Sequence, residues 1–152
     1  MPEKTMREQS ARFDELMQKI DRLYETYARA SGMTYMSMAV LDLIFEYADG
    51  CTQKKICEET HYPKQSVNLI VKSFWQDGLV RLEELPEDRR NKRIVLTDRG
   101  HAYAEKAVGT LRRIDESAAE KLDAQQREQL LSLLRVYVDA HEQGIREALE
   151  GK

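Results

Sequence analysis

Apolar residues recur along the first part of the chain at steps of three and four, the spacing of one face of an α-helix. The residues with this spacing are Phe13, Leu16, Met17, Ile20, Leu23, Tyr24 and Tyr27. The pattern predicts an amphipathic helix over about residues 6–30, interrupted by Ser31 and Gly32.

A second helix is predicted after Thr34, ending at Asp49-Gly50 as helices often end at glycine. Its inward positions are Met38, Leu41, Ile44, Phe45 and Ala48. Thr52 is placed to cap a brief third helix, which His61-Tyr62-Pro63 ends.

Pro63 suits the first turn of a fourth helix, where its missing N–H has no cost. The predicted inner face comprises Val67, Ile70, Val71, Phe74 and Trp75. Asp77-Gly78 ends this helix, so that the third and fourth helices are two short helices joined by a tight turn.

After Gly78 the apolar period changes from helical to alternating, which predicts a strand beginning at Val80. Arg93–Leu96 is predicted to be the returning strand. The polar run Pro86–Lys92 between them is interpreted as a loop, longer than the roughly 2 to 5 residues usual for a hairpin. Long hairpin loops tend to be functional.

Two long helices are predicted to follow. Thr97 is expected to cap the first, and Gly109 to weaken or bend it. Asp123 with Gln126 forms a plausible capping pair for the second. Its apolar stripe comprises Leu130, Leu134, Tyr137, Val138, His141 and Ile145.

This order of elements predicts a mainly α fold with a small two- to three-stranded β wing, a winged helix-turn-helix. We expect a single domain over residues 1–152, with a DNA-binding lobe at 33–100. The terminal helices, in 1–32 and 101–152, carry more apolar stripe than such a lobe can cover. Interleaving with a second copy would bury it, which predicts a two-fold homodimer.

Composition and charge agree with a globular helical protein. Hydrophobic residues make up 41% of the chain and charged residues 34%, which disfavours disorder. The net charge is −3, yet residues 52–99 carry a surplus of two positive charges. No apolar run approaches the roughly 18 residues of a membrane span, and no signal peptide is evident, so we expect a cytoplasmic protein without membrane contact.

The outer face of the fourth helix carries residue types suited to a DNA major groove. Gln and Asn pair with adenine through two hydrogen bonds, Ser reads several base edges, and Lys binds phosphate or guanine. The predicted DNA-binding residues of this helix are Lys64, Gln65, Ser66, Asn68 and Lys72. Exposed helix faces are polar in general, so the fourth helix alone does not distinguish a DNA-binding face from a solvated one. The residues of the wing favour the DNA-binding interpretation.

The predicted hairpin tip concentrates positive charge. The DNA-binding candidates there are Arg89, Arg90, Asn91 and Lys92. A narrow minor groove attracts Arg, and we expect Asp88 to support the wing by pairing with the Arg90 guanidinium. The alternative is a solvated turn, as charge runs usually are.

The stretch DRRNKRIVLTDRG, from Asp88 to Gly100, resembles the wing signature of the MarR family of bacterial winged-helix regulators. The preceding YPKQSVNLIVKSFWQDGLV resembles that family's recognition helix, and the order of helices agrees over nearly the whole chain. The resemblance implies a homodimer that binds pseudo-palindromic double-stranded operator DNA. It implies most often a repressor, released by a small ligand or by cysteine oxidation.

The releasing signal is less visible in the sequence. Relatives that sense a small aromatic or phenolic effector do so in a cleft between the DNA-binding lobe and the dimer helices. The residues that are candidates for such a cleft are Tyr35, Met36, Met38, Phe45 and Trp75, each of which we assign to the core instead.

Cysteine chemistry is a second route to release. Cys51 precedes a helix N-terminus with Lys54 and Lys55 nearby, a setting that favours thiolate. Peroxide-sensing relatives carry their cysteine in the first helix, where this chain has none, so ordinary thiols at Cys51 and Cys57 are favoured.

Metal and catalytic motifs are incomplete. Cys57 and His61 have the spacing of two ligands on one helix face, but the motif supplies no others, and we expect no metal and no cofactor. His141-Glu142 begins like a zincin motif, yet Ile145 stands at the second histidine position. No catalytic residues are assigned, and no enzymatic activity is expected.

The sequence thus predicts a dimeric, sequence-specific transcriptional regulator, a repressor released by a ligand. Two alternatives remain: a redox-sensing regulator that uses Cys51 or Cys57, and a winged-helix adaptor that binds proteins rather than DNA.

Overall fold

The structure is a computed structural model that describes residues 2–151, with side chains from Thr5 onward. The chain divides into two compact units, one up to Thr110 and one from Leu111 onward. The first unit begins with α1 (Pro2–Ala30), α2 (Tyr35–Glu46), β1 (Cys51–Thr52), α3 (Gln53–Thr60) and α4 (Lys64–Gln76). It continues with β2 (Val80–Leu85), β3 (Asp88–Leu96), α5 (Asp98–Ala104) and a π-helical turn (Glu105–Gly109).

The core of the first unit lies where α2, α3 and α4 meet the sheet. Its most deeply buried side chains include Met38, Leu41, Ile44, Ile56, Val67 and Ile94. Fully burying one such side chain stabilises the fold by about 1.5 to 3 kcal/mol. The inward positions predicted for α2 and α4 are confirmed for most residues. The exceptions are Trp75, which is exposed, and Ala48, which is exposed and lies beyond the end of α2.

Threonine caps begin three of the helices. The hydroxyl oxygens of Thr34, Thr52 and Thr97 accept hydrogen bonds from the backbone N–H three residues later in each case. His61 ends α3 in the left-handed conformation, with φ of 57°. The predicted starts of these helices and the end of α3 are therefore confirmed. α2, however, ends at Glu46 rather than at the predicted Asp49-Gly50, and Pro63 lies immediately before α4 rather than in its first turn.

Gly100 allows α5 to pack against the loop between α4 and β2. A Cβ atom at this position would lie 1.9 Å from the Leu79 carbonyl oxygen, so no other residue fits without a backbone shift. The Thr97 hydroxyl also donates to the Gly78 carbonyl oxygen at 2.6 Å. These contacts fix the base of the hairpin against α5.

The sheet is antiparallel with strand order β1-β3-β2. β1 pairs Cys51 with Ile94, and adds a third strand to the hairpin. Only Pro86 and Glu87 separate β2 from β3, so the predicted long loop over 86–92 is wrong. Three residues inside β3, Arg89 to Asn91, nevertheless lack a partner in β2, because the register moves from Glu84↔Lys92 to Leu85↔Asp88. We call the hairpin β2–β3 the wing.

The long helix predicted after Thr97 is interrupted. Five residues ending at Gly109 form a π-helical turn, in agreement with the weakening expected at that glycine. Tyr27 of α1 donates a hydrogen bond from its hydroxyl to the Ala107 carbonyl oxygen at 2.8 Å, inside this turn.

The second unit consists of α6 (Thr110–Ala119), which begins at the boundary, and α7 (Ala124–Glu150). The Asp123 and Gln126 capping box is present in full, as the sequence predicted. Neither helix contains a buried residue within the described part of the chain. Leu133, for example, is 69% exposed. None of the described helices is long and apolar enough to span a membrane.

Candidate nucleic-acid interface

A groove of about 940 Å³ lies between α3, α4 and the wing. It brings together most of the residues that the sequence predicted to bind DNA. Those that line it are Lys64, Gln65, Asn68, Lys72, Arg90, Asn91 and Lys92. Ser66 and Arg89 do not line the groove, although Arg89 is exposed and Ser66 half-buried.

The start of α4 is open to a ligand. Pro63 provides no side-chain cap, so the first-turn N–H groups have no side-chain partner. Lys64 and Gln65 are exposed on this turn, while Val67 anchors it in the core. The Gln53 amide donates to the Lys64 carbonyl oxygen at 3.2 Å and so joins α3 to the beginning of α4.

Asp88 orders the unpaired segment of the wing. Its Oδ1 accepts from the Arg90 backbone N–H at 3.0 Å, and its Oδ2 accepts from the Asn91 amide at 2.7 Å. These hydrogen bonds, that of Asn91 first, hold the pKa of the Asp88 carboxyl below its ordinary value. The predicted pairing with the Arg90 guanidinium is wrong, because the carboxylate reaches the backbone of the bulge instead.

This arrangement separates two kinds of residue in the wing. The Asn91 side-chain amide donates to Asp88, so part of its hydrogen-bonding capacity is used within the wing. The Arg90 side chain is exposed and forms no ion pair within residues 2–151. Asp88 therefore fixes the backbone from which Arg90 projects.

At the base of the wing one carboxylate pairs with two arginines. Glu83 accepts from Arg93 at 2.9 Å and from Arg81 at 3.0 Å. The two arginines, Arg81 first, keep the pKa of the Glu83 carboxyl below its usual value. Because Arg81 and Arg93 are paired, the free positive charge of the wing is concentrated on Arg89, Arg90 and Lys92, none of which pairs with a carboxylate in the described chain.

Sequence reasoning missed several residues of the groove. Trp75 was assigned to the inner face of α4, yet its side chain is 54% exposed and lines the groove. It lies three residues after Lys72 and seven after Asn68, which places all three on one face of the helix. Helical periodicity predicted the polar residues of this outer face, but it did not predict that an apolar residue would lie on it. The other missed lining residues are Gln53, Lys54, Cys57, Glu58, Val71, Leu82 and Ile94.

The two cysteines differ in environment. Cys51 is buried, with 6% of its surface exposed, and burial together with the nearby Glu59 carboxylate raises its thiol pKa to about 11. The predicted tendency toward thiolate at Cys51 is therefore wrong, since desolvation outweighs the helix N-terminus and Lys54 and Lys55. Cys57 is half-buried and lines the groove. Among residues 2–151, no cluster of three or more His, Cys, Asp or Glu side chains is placed to hold a metal.

The proposed effector-cleft residues pack mostly within the first unit. Met38 is 1% exposed, as expected of core. Tyr35 stacks on Tyr24 with ring centroids 5.2 Å apart, and Phe45 meets His101 edge to face at 6.2 Å. Met36 is exposed and not part of the core.

Comparison with known proteins supports the same interpretation. Residues 31–91, from the loop before α2 into β3, match the sequence profile of the MarR family. No curated protein gave a significant match.

Several solved structures share the fold. A MarR family regulator from Neisseria meningitidis is 24% identical, with a TM-score of 0.73 over 91% of this chain and 97% of that one. MepR of S. aureus in complex with DNA is 18% identical, with a TM-score of 0.71 over 84% and 97%. A MarR/EmrR family transcriptional regulator from Acinetobacter sp. ADP1 is 22% identical, with a TM-score of 0.67 over 90% and 96%.

At these identities the structural likeness establishes the fold alone, and the sequence match to the MarR family covers residues 31–91. The winged-helix part of the chain is thus similar in sequence to the MarR family, and the chain shares the fold of MarR family structures.

Proposed function

We propose that this protein is a homodimeric, sequence-specific DNA-binding transcriptional regulator without enzymatic activity. The observation that carries the proposal is the groove in which the open start of α4 and the unpaired cations of the wing face one another. Duplex DNA matches this charge and offers adjacent major and minor grooves. The related MepR fold has been solved with DNA bound.

In this proposal α4 enters the major groove by its first turns. Gln65 and Asn68 are exposed and are suited to adenine edges, and Ser66 lies beside them. Lys64 and Lys72 neutralise phosphates, while the uncapped N–H groups of the first turn favour an anionic oxygen. The apolar side chains Val67 and Val71 keep this face directed outward.

The wing reaches the adjacent minor groove. Arg90 is the leading contact, with Arg89 and Lys92 adding charge. Asp88 fixes the backbone beneath Arg90 before DNA arrives, so that less conformational entropy is lost on binding.

The dimer is supported by apolar side chains that each unit leaves exposed. In α1, Leu16 is 62% and Leu23 60% exposed, and in α7 the exposed leucines include Leu131 and Leu133. Exposed apolar surface on this scale is typical of protein–protein interfaces. Two copies related by a two-fold axis would present two α4 helices to a pseudo-palindromic site.

We propose further that the regulator acts in the cytoplasm as a repressor and that an effector releases it, with a small aromatic or phenolic compound as the leading class. Direct redox sensing by Cys51 is disfavoured because its pKa of about 11 keeps the thiol protonated at neutral pH. Cys57 remains the only other cysteine for that alternative.

The first test is selection of bound fragments from host genomic DNA, followed by gel shift at low and moderate salt. We expect retained fragments whose affinity falls steeply with salt. Arg90→Ala should weaken binding and reduce the slope of log affinity against log salt by about 1. Arg146→Ala removes the same charge from α7 and is the matched control. An adaptor that does not bind DNA would retain no fragment at either salt, which would overturn the proposal.

The second test addresses base recognition. Gln65→Ala should lower the preference for the selected sequence over a variant at one base pair by about 1 to 3 kcal/mol. Equal weakening on every sequence would reassign Gln65 to phosphate positioning.

A further inference from the structure

The proposed binding mode imposes a condition on the groove between α4 and the wing. In B-form DNA the major groove and the adjacent minor groove are separated by a single sugar–phosphate strand. If α4 occupies the first and the wing occupies the second, that strand must cross the space between them. The residues that line this space therefore face the strand rather than base edges.

The middle of the groove combines an apolar floor with cations. Trp75 of α4 and Leu82 of β2 are 54% and 38% exposed there, above the buried Val71 and Ile94. Lys72 and Lys92 also line the groove, one from α4 and the other from the wing. A deoxyribose and its phosphate have this same pairing of an apolar ring with negative charge.

Trp75 is suited to both parts of a nucleotide backbone. Its indole N–H is a donor without acceptor capacity, and it forms no hydrogen bond within the described chain. Asn68 and Lys72, on the same face of α4, are polar and exposed. At Trp75 this face instead exposes an aromatic ring.

We infer that Trp75 and Leu82 form a contact site for the sugar–phosphate strand that separates the two DNA grooves. The indole ring packs against a deoxyribose and its N–H donates to a phosphate oxygen, while Lys72 and Lys92 neutralise the strand. This inference rests on the proposed function and extends it, since it assigns a DNA contact to the last turn of α4.

The role of such a contact is positioning. Sugar and phosphate are the same at every base pair, so the site fixes how far α4 and the wing enter their grooves without selecting a sequence. Loss of Trp75 should therefore weaken all duplexes alike, whereas loss of Gln65 should change the order of preference.

The unmodified protein provides the first test, because Trp75 is the only tryptophan in the chain. A duplex selected from a random-sequence pool is added while tryptophan emission and acrylamide quenching are recorded. We expect a change in emission and a clear loss of quenching when the duplex covers the groove. Unchanged emission and quenching at saturating duplex would overturn the inference.

Substitutions provide the second test. Trp75→Ala should weaken binding roughly tenfold, as expected for loss of one hydrogen bond to a charged group together with ring packing. Trp75→Phe keeps a ring but no donor, and its affinity for the duplex should fall between those of Trp75→Ala and the unmodified protein. Gln76→Ala, on the neighbouring exposed position of α4, is the matched control and should bind like the unmodified protein. Equal affinity for Trp75→Ala and the control would contradict the site.

Cys57 gives a readout that needs no substitution. It lines the same groove and is half-buried, whereas Cys51 is buried. Bound duplex should slow alkylation of Cys57 by iodoacetamide, and an unaffected rate would count against a strand in the groove.

The outcomes separate the inference from the proposed function. If Arg90→Ala weakens duplex binding while Trp75 stays fully quenchable, the inference fails and DNA binding stands. If no duplex binds at any salt, both fail.

Discussion

The winged-helix part of the chain buries most of its large apolar side chains, whereas the long terminal helices leave many of theirs exposed. Between α2 and β3, side chains such as Leu41, Ile56 and Val67 are fully buried by their own chain. Along α7 no side chain is buried, and Leu133 and Leu149 are 69% and 65% exposed.

This difference indicates which parts of the molecule are complete alone. The winged-helix part has its own core and three threonine caps, so we expect its stability to depend mainly on contacts within one chain. The terminal helices leave many large apolar side chains exposed, such as Leu16 in α1 and Leu133 in α7, which is the pattern expected of a dimerisation surface. Substitutions in the two regions should therefore be read out by different measurements.

The largest effect is expected in α7. Replacing both Leu130 and Val138 by Asp places charges on the exposed apolar stripe, where they would be desolvated in a dimer. We expect more than a hundredfold weaker self-association, measured by analytical ultracentrifugation. The exposed Glu142→Asp on the same helix is the control. A double variant that remains a dimer would place the interface elsewhere.

In the winged-helix core, Leu41→Ala should lower the free energy of unfolding by about 2 to 5 kcal/mol, because a fully buried side chain leaves a cavity. Chemical denaturation measures this loss. At concentrations where the protein is folded, its self-association constant should stay the same. A change of self-association without loss of stability would reverse the comparison between the two regions.

The next effect concerns pH. Because the folded-state pKa of Cys51 is about 11 and the unfolded value is about 9, the neutral thiol is favoured by the fold. Its contribution is fully present below pH 9 and is lost as pH rises through 11, up to roughly 2 to 3 kcal/mol. Denaturation of the unmodified protein and of Cys51→Ala across this window checks it. Identical pH profiles would show that Cys51 does not titrate in this way.

The smallest effect is expected at Asp88. Asp88→Ala removes the acceptor that orders the wing, and should weaken duplex binding several-fold through greater loss of wing entropy on binding. Because the pKa of Asp88 is lowered, these hydrogen bonds are present at pH values above the ordinary pKa of the carboxyl. They are lost as the pH falls through the lowered pKa. Asp139→Ala on α7 is the control. Unchanged binding, measured by fluorescence anisotropy, would remove Asp88 from the mechanism.

Much of the fold could be predicted because local rules determine it. Thr34, Thr52, Thr97 and the Asp123–Gln126 pair cap helices as their positions indicated. Helical periodicity placed Val67 and Phe74 in the core. β1 was not predicted, since a two-residue strand has no period and exists only through its pairing with β3.

The errors have tertiary causes. Trp75 follows Phe74 at the edge of the inner face, and only the position of the wing decides which of the two is covered. The position of Cys51 before a helix N-terminus predicted a tendency toward thiolate, but burial by the surrounding core raises its pKa. The polar run over 86–92 was interpreted as a loop because sequence does not reveal that Asp88 folds its bulge back into β3.

The central claim is that a homodimer binds one duplex, with α4 of each copy in a major groove and its wing in the adjacent minor groove. Hydroxyl-radical footprinting of a selected duplex tests it most directly. We predict two protected segments related by a two-fold axis, with about one helical turn between equivalent positions, and loss of the minor-groove protection in Arg90→Ala. A single asymmetric footprint, or one that Arg90→Ala leaves intact, would contradict the claim.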